Sequence, residues 1–220
     1  MEFLRVPLQR HNRLLEKLAE RLRYIQMKYA DRMRCARGCA LCCQGLFDIS
    51  LPDALRISNG FHALPEQTRE EVVERAMAIQ RKSAKELQDL SPPFFLDSIS
   101  QGRIDEMVAN IGDVRCPFLD KRDSCLIYEY RPIACLLEGI PMVDAQDGLF
   151  GDWCNFNFRE GVSLEMAEDL RLDYYEIQEI EDGSTIFIPS VIAASAFFES
   201  LSLRGHPDPH NLEDSKTRRR

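Results

Sequence analysis

The chain has 220 residues, 45% of them apolar, and a formal net charge of −8 from 36 acidic against 28 basic side chains. That length and apolar content bury a sizeable core without disulfide staples, and the acidic balance argues against a general nucleic-acid binder, which shows a basic face to phosphates. No charged start followed by an apolar stretch and a small-residue cleavage site occurs over Met1 to Ala30, and the longest apolar run, Ile186 to Phe198, is interrupted by Pro189, Ser190 and Ser195 and is too short for a bilayer. A cytosolic protein without membrane contact is expected.

Taken in chain order, Leu15, Leu18, Leu22, Ile25 and Tyr29 recur at spacings of three and four and predict one amphipathic helix from Leu8 to Met33. A stripe of so few turns packs on its own domain more often than it forms a coiled-coil dimer. Ser50 is an N-cap candidate ahead of Pro52, and Gly60 is expected to close the short helix that follows. Pro65 opens a longer helix with Val72, Ala76, Ile79, Ser83, Leu87 and Leu90 on its inward stripe, ended by Ser91-Pro-Pro93.

Between Val114 and Pro132, two short apolar stretches around the polar Asp120 to Ser124 turn predict a small β-hairpin. Arg131-Pro-Ile-Ala-Cys135 begins a helical turn. Ser163, Leu164, Ala167, Leu170, Tyr174 and Ile177 mark another amphipathic helix, stopped by Asp182-Gly183, and Ser190 to Leu203 reads as a buried helix. Beyond Gly205 the chain reads as a disordered tail ending in a solvated Arg218-Arg-Arg220.

The chemistry lies in eight cysteines. Cys35, Cys39, Cys42 and Cys43 fall within nine residues; Cys116, Cys125, Cys135 and Cys154 follow over some forty. In a reducing cytosol such a set coordinates metal rather than forming structural disulfides. Soft thiolates select zinc, copper(I) or iron–sulfur centres over calcium and magnesium. The Cys-x3-Cys-x2-Cys spacing of Cys35, Cys39 and Cys42 resembles the [4Fe–4S] loop of radical S-adenosylmethionine enzymes, but the chain lacks the repeated βα pattern of their barrel.

Vicinal Cys42 and Cys43 leave the backbone in divergent directions. They serve different ions, reach different irons of one cluster, or leave Cys43 as a free redox-active thiol. Arg32, Arg34, Arg37, Arg115, Lys121, Arg122 and Arg131 crowd the cysteines in sequence and would offset the negative charge of a thiolate-rich centre. Arg131 is singled out by its neighbours Pro132 and Cys135. His11, His62, His206 and His210 lie outside both cysteine groups and read as surface or packing residues.

In order along the chain, the Cys35 to Cys43 group, Cys116-Pro-Phe-Leu119, Cys125-Leu-Ile-Tyr128, Arg131-Pro132, Cys135 and Trp153-Cys154 resemble the YkgJ-type cysteine-cluster family, described as a zinc- or iron-chelating domain, over about residues 34 to 155. That family is summarised as Cys-x2-Cys-x2-Cys-Cys, whereas the first gap here is three residues. The module is also similar to that of flagellin lysine N-methylases, a resemblance that implies an iron–sulfur centre working with S-adenosylmethionine, although no Gly-x-Gly-x-x-Gly cradle is present.

The expectation is a mainly α-helical fold with a small β-hairpin and a cysteine-rich metal-binding loop. It divides into an N-terminal amphipathic helix (1–33), a cysteine-cluster metal-binding domain (34–204) and a disordered tail (205–220). All eight cysteines are candidate ligands for an iron–sulfur cluster ([4Fe–4S]) or zinc, with the cluster favoured because it tolerates a divergent vicinal pair. The alternatives are a protein-modifying enzyme of the methylase type and a thiol redox sensor using Cys43. No catalytic residue and no partner is specified, and a protein partner is left open.

Overall fold

The computed structural model describes residues 2–144, 148–150, 153–172, 177 and 183–202. Helices dominate, as the periodicities require. Helix α1 (Glu2–Lys28) starts earlier than its stripe implied and ends five residues sooner, and all of Leu15, Leu18, Leu22, Ile25 and Tyr29 are buried. They pack on the chain's own Ile133, Leu137, Ile140, Phe158, Leu170 and Ile177.

The N-cap of helix α2 (Leu51–His62) is Ser50, whose hydroxyl accepts the Asp53 N–H. Gly60 does not end this helix. A Cβ there would lie 2.7 Å from the Cβ and Cγ of Tyr130, so the glycine admits that ring instead of breaking the helix. Helix α3 (Glu66–Glu86) follows Pro65 and buries Val72, Ala76, Ile79 and Ser83; Leu87 and Leu90 are buried just past its end, which comes before the expected proline stop.

A further helix, α4 (Gln101–Ile111), lies between the Ser91-Pro-Pro93 stop and Val114, where the sequence reading assigned no element, docked through Ile104 and Met107. The hairpin expected between Val114 and Pro132 is reduced to a single antiparallel bridge, Leu119 to Cys125. Its turn is held by local polar bonds, since Asp120 Oδ1 accepts the N–H groups of Arg122 and Ser124, while Phe118, Leu119 and Ile127 turn into the core and leave no alternating face for strands to share. A single 3₁₀ turn (Tyr128–Tyr130) then leads to α5 (Ile133–Leu137).

Strand pairing occurs elsewhere and joins distant segments. Strand β1 (Asp48–Ser50) pairs antiparallel with β5 (Thr185–Phe187), Ile49 opposite Ile186, and closes the chain's late segment onto the end of the first cysteine loop. Strand β2 (Met142–Asp144) pairs antiparallel with β3 (Gly148–Phe150) and parallel with β4 (Arg171–Leu172).

Helix α6 (Leu164–Leu170), capped by the Ser163 hydroxyl on Met166 N–H, passes directly into β4 instead of running on to Ile177; the expected continuation through Tyr174 to Asp182 lies largely outside the described residues. The single helix expected from Ser190 is two, α7 (Ile188–Ala193) and α8 (Ser195–Ser202), divided at Ala194. Leu203 and the tail from residue 205, with His206 and His210, also lie outside them. Among the described residues no helix is long and apolar enough to cross a membrane.

Candidate metal centre

Three separate stretches of chain carry the cysteines to one place. After α1 ends, residues 33–45 form an irregular loop of successive turns, closed locally by Cys39 N–H to Ala36 O and Cys43 N–H to Ala40 O. Its far end is stitched to the second stretch, because Cys116 donates to Cys43 O at 2.9 Å and Gln44 bridges Arg115. The Leu119–Cys125 bridge folds Cys125 back, and α5 supplies Cys135. Helix α5 itself is anchored from below: the buried Asp53 carboxylate accepts the Ile133 N–H at 3.1 and 3.2 Å and a bond of 2.7 Å from His11 Nε2.

A cavity of about 720 Å³ opens between these stretches, and Cys35, Cys39, Cys42, Cys43, Cys116, Cys125 and Cys135 all line it. Cys154 is not on that wall. It sits behind Cys35, where Gly139 takes a left-handed φ of +80°: a Cβ on that residue would lie 3.2 Å from Cys154 Cβ and 3.3 Å from Cys35 Sγ, so glycine is required there on both counts. None of the eight thiols is in a disulfide. Among the described residues, no three Cys, His, Asp or Glu side chains meet closely enough to hold one ion.

Burial opposes ionisation of these thiols. It pushes Cys116 up to about 12 and Cys135 well above the usual thiol range, where neighbouring Cys116, Cys125 and Cys42 add to the effect. Cys125 is raised by the same cause, relieved in part by Arg131 and Arg37. Cys42 is raised first by its hydrogen bond with Cys43 and then by burial. Such thiols give up their protons to a bound cation more readily than to water, so metal uptake and proton release are coupled.

Of the cations singled out in sequence, Arg131 lines the cavity, with its guanidinium 3.7 Å from the Tyr128 ring centroid and Nε donating to Tyr128 O. Arg37 approaches the same ring at 5.2 Å. Arg115 is turned to Asp123 and to the Asp120 carbonyl, and Arg32 to Glu160.

Two residues near the thiols escaped the sequence reading. Arg75, on α3, donates to Pro117 O at 2.9 Å and brings a positive charge toward Cys116. Asn157 is wholly buried; its amide donates to Cys35 Sγ at 2.9 Å and to Gly139 O at 2.6 Å, and its Oδ1 accepts the Arg34 N–H at 2.7 Å. Its only sequence signal is position, three residues after Cys154. His11, expected to be a surface or packing residue, is buried and serves packing through Asp53.

No curated protein and no solved structure matches the chain. Residues 34–155, the span that contains all eight cysteines, match the family model named CxxCxxCC and described as a "Putative zinc- or iron-chelating domain", and the chain belongs to that family.

Proposed function

We propose that the chain is an iron–sulfur protein, with its eight cysteines as the ligands. One observation carries this reading: seven thiols from three distant stretches line a single cavity, and the eighth sits directly behind one of them. The donor set is all sulfur, which suits a soft centre.

The spread of the sulfurs favours clusters over mononuclear zinc. Four thiolates around one zinc stand about 3.8 Å from each other, given tetrahedral bonds of about 2.3 Å, whereas among the described residues no three Cys, His, Asp or Glu side chains are grouped so as to hold one ion. A cluster interposes its own irons and sulfides between the thiolates and accepts wider spacing. Arg131, Arg37 and Arg75 would offset the negative charge of such a centre, whose chemistry when bound is to accept and release electrons or to brace the fold.

The test is anaerobic purification with iron, zinc and acid-labile sulfide analysis. The expected product is brown and contains iron and sulfide in comparable amounts. A colourless protein with stoichiometric zinc and no sulfide would overturn the cluster reading.

A further inference from the structure

We infer that the cavity beside the cysteines also binds an organic acid, a molecule with one carboxylate on an apolar body, and that the Arg131 guanidinium holds the carboxylate. The inference goes beyond the metal reading: the two sites share a cavity but not their donors.

Arg131 is held in place by the protein itself. Its Nε donates to Tyr128 O at 3.0 Å, its guanidinium lies 3.7 Å from the Tyr128 ring centroid, and its own carbonyl accepts Arg56 Nε at 3.2 Å ahead of the buried Pro132. Such anchoring removes much of the rotamer freedom that a mobile arginine gives up on binding. Among the described residues, no carboxylate, carbonyl or sulfur accepts a hydrogen bond from its two terminal nitrogens, and these nitrogens are not sealed in the interior.

Arg37 approaches the same ring at 5.2 Å and likewise has no acidic partner among the described residues. Two guanidinium groups on one ring without a counter-charge attract an anion. The planar fork of Arg131 matches a carboxylate, which takes two parallel N–H bonds. A phosphate would bring a second negative charge toward Cys125 and Cys135, which already sense the Arg131 charge.

The rest of the wall suits the apolar part. At about 720 Å³ the cavity falls within the range of about 300–1,000 Å³ that small-molecule sites occupy. It runs from Leu41, 57% exposed at the mouth, to the buried Ile57 and Phe118, with Phe47, Ile127 and Ile188 also on its wall. At about 30 Å³ per atom, the share a water molecule takes in the liquid, a core of four irons and four sulfides fills about 240 Å³, and two such cores leave about a third of the cavity. No thiol requires the Ile57 and Ile188 wall, whereas an alkyl or aryl body is stabilised by leaving water there.

The test is a ligand-observed NMR titration of the anaerobically purified full chain with hexanoate, with hexan-1-ol and hexylammonium as probes of the same tail and a different head. Saturable binding of hexanoate, at least about ten-fold tighter than that of hexan-1-ol, is expected, with no binding of hexylammonium. Arg131→Gln should abolish that preference, and Arg131→Lys should keep only part of it because the fork is lost. Equal binding of hexanoate and hexan-1-ol, tighter binding of hexylammonium, no saturable binding of hexanoate, or an Arg131→Gln variant that keeps the preference would each overturn the acid site. The head-group comparison is read on the wild-type chain, so a variant that fails to fold does not remove the test. Iron, zinc and sulfide analysis of the same sample separates the two readings: a loaded protein without the preference overturns the acid site alone, and a metal-free protein that still prefers hexanoate overturns the metal centre alone.

Discussion

The side-chain amide of Asn157 donates a 2.9 Å hydrogen bond to the sulfur of Cys35, 122 positions earlier in the chain. Three groups depend on this one amide, the Cys35 sulfur, the Gly139 carbonyl and the Arg34 N–H. Asn157→Ala removes all three bonds, the one to the Gly139 carbonyl in a buried position, and is expected to cost about 3 kcal/mol in urea unfolding. Asn157→Asp keeps the acceptor for Arg34 but turns carboxylate oxygens toward a carbonyl and a thiolate. It should therefore retain less metal than the alanine variant and shift the thiolate-to-metal absorption, whereas an amide with a purely structural role would leave that absorption unmoved.

What the sequence discloses of this fold follows the range of the physics. The α1 stripe from Leu15 to Tyr29 and the Ser50 cap of α2 depend on neighbours three or four residues away, and both appear as read. Helix α4 carries a comparable signal in Ile104, Met107 and the flanking Ser100 and Gly112, diluted by Gly102 in its first turn and Asn110 in its last. The β1–β5 pair leaves no trace of that kind, because each strand is three residues long and its partner is far away in the chain. The cysteine spacing announced metal chemistry, but the Gly139 corner and the Asn157 amide are long-range coincidences of backbone, legible only once the chain is folded.

Two helical glycines make opposite predictions. Gly60 faces Tyr130 at a distance that no Cβ tolerates, so Gly60→Ala should cost about 2 kcal/mol through displacement of the ring. Gly102 has open space around its missing Cβ, and Gly102→Ala should stabilise the protein by about 0.5 kcal/mol by narrowing the unfolded ensemble. Thermal melts of the two variants under identical metal loading read the sign directly.

Asp53 links the core to the centre. Its carboxylate is shared between His11 and the Ile133 N–H that begins α5, the helix bearing Cys135. Asp53→Ala strands both donors in the interior and is expected to cost about 3 kcal/mol. It should also speed metal loss to a chelator, since the α5 N-terminus loses its anchor. Asp53→Asn keeps one oxygen acceptor and should fall between the alanine variant and wild type in both measurements.

Asp169 joins α6 to the end of α1 by accepting hydrogen bonds from Lys28, Tyr29 and Tyr24. The Lys28 bond, followed by that of Tyr29, draws its carboxyl down from the ordinary 3.8 to about 2. A carboxyl depressed in the folded state contributes stability that is complete above the unfolded value near 4 and disappears as the pH falls through the folded value near 2. The stability difference between wild type and Asp169→Asn should therefore be constant from neutral pH down to about 5 and shrink steadily between about 4 and 2. Because the cluster is solvent-exposed, high salt should reduce the difference across the whole range without moving this window. A difference that grows on acidification would show that the carboxylate is held by something other than these three donors.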